Sequence, residues 1–460
     1  MSILVLAVTV LSVAVIIQAA YTVYLMIYTW DQPQAYENAK APAVFAPPQK
    51  SFTVLLPARH EEEVIQDTIE RVVRGNYPPR LVEAIVICEA GDLGTIAKAR
   101  EKIDRLRQQG FDNARLAVFN DKPINKPHGL NVGFAQSRHE VITIFDAEDE
   151  IHPDILNIVN TVMVQEGVKV VQCGVQLMNF DSSWYSTLNV LEYFFWFKSR
   201  LHYHAQLGMT PLGGNTVFFT RDVVERIGGW DEGNLTEDAD VGIRISLLGE
   251  QIRIVYDDRY VTKEETPPTL SHFARQRTRW SQGFLQTLKK GLWARMPTFE
   301  QRLLALYTLG FPTAQSVLAL YVPVSLWMMF TVKLPVAWAM LLLVPIYLLL
   351  AHYTISVVGL FEFTEAHGLR ATPSTFVKMT LGYLPYQWVL GYAALRATIR
   401  ELRGINNWEK TAHVGAHRQM EQAAQVSAQP DRKAEAVAGR RSTRDGDDDE
   451  TSEAQHRDAA

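Results

Sequence analysis

The chain has only two cysteines in 460 residues, Cys88 and Cys173. Both fall inside apolar runs, so a disulfide framework is excluded and the pattern suits a reducing compartment. A strong excess of either charge is missing too. The formal net charge of −5 supplies no basic field for a polyanion, which argues against a nucleic-acid partner. Charge is absent altogether from Ser2 to Thr29, from Leu303 to Val332 and from Leu334 to Phe361, with Lys333 alone between the last two. Each stretch exceeds the roughly 20 apolar residues that span a bilayer. The first lacks a basic leader and runs about twice as long as a signal-peptide core, so it reads as a retained signal-anchor helix. From about Ala424 large apolar residues are scarce, and a segment that cannot bury surface reads as a disordered tail (residues 424–460) without chemistry.

What is present between these stretches alternates in character. Residues 1–30 form the first span, and residues 31–50, rich in Pro, Ala and Gln, read as a linker. Strands are expected at Phe52–Pro57, Val82–Cys88, Leu116–Phe119 and Val141–Phe145, with helices at Glu62–Arg74 and Ile96–Gln109. This alternation predicts an α/β fold: a Rossmann-like, mostly parallel sheet over residues 51–265, with helices on both faces. Ligands of such sheets gather at the carboxyl ends of strands, where Pro57–Glu61, Glu89–Asp92 and Asp146–Glu148 fall. The aromatic-rich segment Trp184–Arg200 reads as a helix at the headgroup level, the alternative being an ordinary core helix. Residues 266–300 read as interfacial helices and 301–405 as a transmembrane and interfacial region. Phe376–Leu395 is expected to be interfacial or re-entrant, broken at Pro385, because a further crossing would export the residues that follow.

Three polar motifs carry the chemistry. Asp146 and Glu148 follow an apolar strand, and carboxylates two apart can approach one Mg²⁺ or Mn²⁺. Thr236 is placed to cap a helix buried through Val241, Ile245 and Leu248, with Glu237 and Asp238 in its first turn. Glu237 and Asp240 are positioned to raise the Asp238 pKa against the opposing helix N-terminus. Gln276, Arg279 and Trp280 share one helical face, where an Arg beside an amide can hold a diphosphate and an indole can stack on a sugar.

The order Asp146-Ala147-Glu148, Thr236-Glu237-Asp238, Gln276-Arg277-Thr278-Arg279-Trp280 resembles the processive, membrane-embedded family 2 glycosyltransferases, the group of cellulose and hyaluronan synthases. The resemblance covers roughly residues 50–415 and implies a GT-A type catalytic domain. It implies Asp238, beside Glu237, as the base that deprotonates the acceptor, and a metal shell completed by Glu148 or Asp149 where the family usually has Asp-x-Asp. Gln276 and Arg279 would meet the diphosphate, and Trp280 the acceptor. Pro57 and Glu61, from Pro57-Ala58-Arg59-His60-Glu61, would contact nucleotide together with Glu89 and Lys126. Gly214 and Asn215 would line the acceptor site. Trp408, Lys410 and Thr411 resemble a gating loop (residues 406–415) that closes from the cytoplasm.

The implied activity is inverting, processive β-transfer from a UDP-sugar to a growing polysaccharide coupled to export. The protein would be multi-pass in the plasma membrane with a cytoplasmic catalytic domain, and would form homo-oligomers or engage an export partner. Single addition to a lipid carrier is the nearest alternative, and a catalytically silent scaffold is the other.

Overall fold

The computed structural model describes residues 3–331 and 335–409. The expected tail, and Lys410 and Thr411 of the expected gating loop, lie outside these residues. The chain opens with α1 (Ile3–Asp31) and the short α2 (Pro33–Glu37), then alternates through β1 (Phe52–Pro57), α3 (Ile65–Val73), β2 (Val82–Glu89), α4 (Leu93–Gln108), β3 (Ala114–Phe119), α5 (Lys126–Gln136) and β4 (Val141–Ile144). It continues with α6 (Ile155–Glu166), β5 (Val170–Cys173), β6 (Val175–Leu177), α7 (Ser186–Phe195), α8 (Leu201–Leu207), β7 (Val217–Thr220) and α9 (Arg221–Ile227). After α10 (Glu237–Leu247), β8 (Ile252–Val255) and β9 (Thr262–Glu264) come four long helices: α11 (Leu270–Lys289), α12 (Phe299–Thr331), α13 (Val336–Ala366) and α14 (Pro373–Leu402).

Among the described residues, seven strands form one sheet in the order β3-β2-β1-β4-β7-β5-β8. The expected α/β architecture is present. All neighbours are parallel except β7, which runs antiparallel to both β4 and β5. Strand β1 is apolar except at Thr53, whose hydroxyl donates to Glu83 at 2.6 Å, because helices cover both faces. Phe52, Val54 and Leu56 enter the core beneath α3, α4 and α6, while Leu55 enters the opposite core with Leu130, Val223 and Val241. Truncating a fully buried residue such as Leu55 to Ala costs about 2–5 kcal/mol. Cys88 and Cys173 are free and buried in these strands, and burial pushes the Cys88 thiol up to about 12.

Two features of this sheet position a site. Strand β1 lies between β2 and β4, so the chain reverses its winding there and opens a crevice at the strands' carboxyl ends. The reversed β7 pairs Val217 with Ile144, which sets the preceding Gly213-Gly214-Asn215 beside the carboxyl end of β4.

Three of the helices are long and apolar enough to cross a bilayer, Thr9–Asp31, Phe299–Thr331 and Val336–Ala366, and they mark the chain as a membrane protein. Two expectations are corrected around them. The aromatic rings of Trp184–Arg200 do not form an outward-facing belt: Tyr185, Phe194 and Phe195 are buried against Phe273, Phe363 and Tyr386 of α11, α13 and α14. The nearby Lys198 ammonium is taken up by Glu362 of α13. Nor does Pro385 break its segment. It sits inside the continuous α14, where stacking of Tyr386 on Phe273 (5.5 Å) and the bond from Arg400 Nε to Gln282 Oε1 (3.0 Å) tie the helix along α11 on both sides of the proline. These contacts offset the hydrogen bond that a proline removes.

Candidate active site

Strand ends, the β7 loop and the start of α10 converge on one cavity of about 470 Å³, within the range of small-molecule sites. Pro57, Glu61 and Glu89 line its outer end, Asp146, Glu148 and Asp238 its middle, and residues of α1, α12, α13 and α14 its far end. Gln276, Arg279, Trp280 and Trp408 border it as well. The residues expected from three separate stretches of sequence therefore share one wall.

Lys126, first residue of α5, is the central cation. Its ammonium lies 2.5 Å from Asp146 Oδ1 and 3.9 Å from Glu237 Oε1, and donates to the Gly214 carbonyl at 3.1 Å. The helix starts there because Asn125 caps it, accepting from His128 N at 3.0 Å. Burial alone would lower the lysine pKa. Asp146 and Glu237 outweigh it and hold the pKa above its ordinary value.

Asp146 and Glu148 differ from Asp149 in where they point. The first two line the cavity. Asp149 is fully buried, accepts from Asn215 Nδ2 at 3.0 and 2.9 Å, and accepts from Asp146 N at 2.8 Å. Asn215 donates to Glu264 as well, so its amide N–H groups are committed to carboxylates, and the residue lines the cavity beside Gly214. Glu264, on β9, was not singled out from the sequence, because an acidic residue ending a three-residue strand has no local signature. Burial, then Glu148 and Asp146, push it up to about 8. Burial, then Glu264, Asp146 and Glu148, raise Asp149. The carboxylates of Asp146, Glu148, Asp149 and Glu264 thus gather around one corner of the cavity, and oxygen donors suit Mg²⁺ or Mn²⁺. Asp146 and Glu148 are the pair that fits such an ion.

A second cluster, His60, Glu62 and Asp92, brings ligand atoms within 4.8 Å. Asp92 spends its carboxylate on the N–H groups of His60 (2.6 Å) and Thr95 (3.4 Å), capping α4, so the group holds a loop to a helix.

Asp238 stands in the first turn of α10, accepting from Ala239 N at 2.8 Å. Gly214 allows this approach: a Cβ there would sit 3.2 Å from Asp238 Oδ2. Burial raises the Asp238 pKa, opposed by the Ala239 N–H, Lys126 and Arg279. Glu237 is pushed up to about 7, chiefly by burial and by Asp238 against the pull of Lys126. The expected contribution of Asp240 is corrected. That carboxylate is taken up by Arg244 (2.8 Å) and Lys290 (2.6 Å). Thr236 occupies the N-cap position without a side-chain cap bond. Val241 and Ile245 are buried, but Leu248 is 38% exposed, because the helix has ended at Leu247.

Helix α11 closes the wall. Trp280 lies beneath Arg277, whose guanidinium is 4.8 Å from the indole centre, and beside Tyr193 at 6.2 Å. Arg277 is held by Asn189 and Glu192 of α7. Arg279 donates to the Leu235 carbonyl at 3.4 Å and lies 4.4 Å from the Trp408 ring. The adjoining Glu409 pairs with Arg396 (2.7 Å) and Arg400 (3.1 Å), fixing the loop to α14.

Comparison with known proteins agrees with this geometry. Residues 47–283 match the family model described as "Glycosyltransferase like family 2". The chain is 28% identical over 247 residues to a probable glycosyltransferase, YdaM, of Bacillus subtilis, covering 50% of this chain and 54% of that one. It is 25% identical over 278 residues to a poly-beta-1,6-N-acetyl-D-glucosamine synthase of Staphylococcus epidermidis, covering 59% and 63%. The chain thus spans between half and two thirds of these relatives' length. Among solved structures, a mannosyltransferase from Pyrobaculum calidifontis, in complex with GDP-Man and Mn²⁺, superposes over 86% of this chain and 99% of its own with a TM-score of 0.50 at 18% identity, a likeness of fold. With more than half of its residues inside the family model and the expected GT-A type architecture around them, this chain belongs to the family 2 glycosyltransferases.

Proposed function

We propose that the protein transfers a sugar from a UDP-sugar, with inversion, to a growing polysaccharide held at the bilayer. The observation that carries this reading is the continuity of the cavity, from Pro57, Glu61 and Glu89 past Asp238 to the apolar helices. Donor and acceptor can approach the base from opposite ends. The catalytic domain would face the cytoplasm, where nucleotide sugars are made, and the product would leave between the spans.

Asp238 takes the proton of the acceptor hydroxyl as that oxygen attacks the anomeric carbon from the side opposite the diphosphate. Arg279, Gln276 and Lys126 meet the charge developing on the departing UDP. Trp280 stacks on the acceptor ring, and Trp408 covers the nucleotide by resting on Arg279. Mg²⁺ or Mn²⁺, held by Asp146 and Glu148, would supply further neutralisation of the diphosphate. Asn215 positions: it holds Asp149 and Glu264 behind the metal pair.

Addition to a lipid acceptor is the second reading, favoured by the apolar residues Met26, Phe311 and Leu390 at the far end of the cavity. The test is purified protein in liposomes given UDP-glucose, UDP-N-acetylglucosamine and UDP-glucuronate, singly and in pairs. Release of UDP with a product of many sugars is the expected result. Release with a single sugar on lipid would establish the second reading. No release from any donor would overturn both and leave a silent scaffold.

A further inference from the structure

The far end of the cavity holds a cation that the transfer chemistry does not use. Arg200 ends the π-helical turn Trp196–Arg200 that joins α7 to α8, a geometry often found at functional sites. It lines the cavity. Its Nε is buried without a hydrogen-bond partner. No carboxylate, carbonyl or aromatic ring pairs with its guanidinium among the described residues. Other buried cations of the region are matched: Lys126 by Asp146, Lys198 by Glu362, and Arg277 by Glu192.

The surroundings make an unmatched charge costly. Thr22 of α1, Phe311 and Pro312 of α12, and His352 of α13 line the same end of the cavity. Arg200 is near enough to Tyr307 and His352 to act on both electrostatically. Thr22, Phe311, Pro312 and His352 stand on the three helices that are long and apolar enough to cross a bilayer. An intramembrane guanidinium without a counter-ion is strongly unfavourable, and such residues mark ligand sites. Hydroxyls of this region are already engaged: Thr22 bonds Tyr307 at 2.7 Å, and Tyr383 bonds His352 at 3.0 Å.

We propose that Arg200 binds the phosphate of a membrane lipid that carries the acceptor sugar. A planar guanidinium matches phosphate bidentately, and the apolar walls beside it suit hydrocarbon. Tyr383, Tyr386 and Gln387 of α14 also line the cavity and are open to the sugar that the lipid carries, so the test includes an acidic polymer as a competitor. This inference rests on the reading of the cavity as the acceptor path.

Binding measured without donor tests it separately from turnover. The full chain in a neutral maltoside detergent is titrated with a fluorescent alkyl phosphate, the alkyl alcohol of equal length, inorganic phosphate and a uronate oligosaccharide. The alkyl phosphate should bind about tenfold or more tightly than the alcohol, the scale of a charge-assisted hydrogen-bonded pair. Arg200→Gln should erase that difference, and Arg200→Lys should restore part of it. In both variants UDP affinity and melting temperature should stay within about twofold and a few degrees of the parent. Equal binding of phosphate and alcohol, or an unchanged preference in Arg200→Gln, would overturn the proposal. Inorganic phosphate competing as well as the alkyl phosphate would remove the lipid from it, and preference for the uronate would replace it with an acidic polymer. If Arg200→Gln unfolds, the folded Arg200→Lys carries the test: a reduced preference for the phosphate supports the assignment, and an unchanged one overturns it. Absence of UDP release in the transfer assay would sink the proposed function while this binding result still decides the role of Arg200.

Discussion

Arg279 of α11 holds its guanidinium 4.4 Å from the centre of the Trp408 ring, joining the loop after α14 to the wall of the cavity proposed to meet the diphosphate. The carboxylate of Glu409 is locked to Arg396 and Arg400, so the indole is presented from an anchored base.

Trp408→Ala should therefore speed loss of nucleotide without unfolding the domain. A cation–π contact of about 0.5–2 kcal/mol corresponds to a weakening of UDP binding by roughly 2- to 30-fold. Calorimetric UDP titration with a parallel melting curve measures both. An unchanged UDP affinity would remove the gating role from Trp408.

Metal dependence should separate two neighbouring acids. Chelator should stop UDP release, and added Mg²⁺ or Mn²⁺ should restore it. Glu148→Gln should then raise the metal concentration needed, because Glu148 lines the cavity. Asp149→Asn should instead lower the melting temperature, since one of its two accepting oxygens becomes an NH2 set against the Asn215 and Asp146 donors, at a cost of about 1–3 kcal/mol. Full turnover in chelator contradicts the metal pair.

Asp238→Asn should keep UDP binding while transfer falls by roughly 10²-fold or more, the scale of a lost general base. The pH profile carries the same information. Asp238 acts only when deprotonated, and burial raises its pKa above the ordinary carboxylate value. Activity should therefore be full on the alkaline side and decline as pH falls, starting at a higher pH than an exposed carboxylate would give. A flat profile down to pH 4 would exclude Asp238 as the base.

Gly283→Ala should disable the enzyme from a residue that touches no substrate. A Cβ at Gly283 would fall 2.3 Å from Thr236 Oγ1 and 2.5 Å from Thr236 N. The hydroxyl can rotate away, but the backbone nitrogen cannot. Alanine normally favours a helix over glycine by about 1 kcal/mol; here overpacking of about 1–3 kcal/mol should reverse the sign and push α11 off the start of α10. Lower melting temperature together with reduced transfer is expected, and a stabilised, active variant would contradict the close approach.

Trp280→Ala should cost acceptor use more than nucleotide binding. Stacking on a planar ring is worth roughly 1–3 kcal/mol, while Gln276 and Arg279 remain on the same helical face. Measuring UDP affinity, melting temperature and polymer yield on one preparation distinguishes this from a general loosening of α11, in which all three would fall together.

The sequence by itself determined the local periods: which runs are strands, which helices are apolar throughout, and which polar triplets interrupt them. Those features depend on neighbours in the chain, so Phe52–Pro57, Asp146–Glu148 and the Gln276–Trp280 face were legible before any fold was known. Tertiary structure alone decided the rest, because it depended on partners far away in sequence. Reversal of β7 turned Asn215 toward Asp149 and Glu264, making it a brace for carboxylates. Packing of α7 against α13 and α14 enclosed an aromatic run whose composition fits a membrane surface equally well. Tyr386 and Arg400, gripping α11 on either side of Pro385, kept α14 unbroken where proline's local chemistry predicts a stop. Glu148 and Asp149 were likewise told apart only in three dimensions: Glu148 lines the cavity while Asp149 accepts from the Asn215 amide, a difference that two adjacent acidic residues cannot display in one dimension.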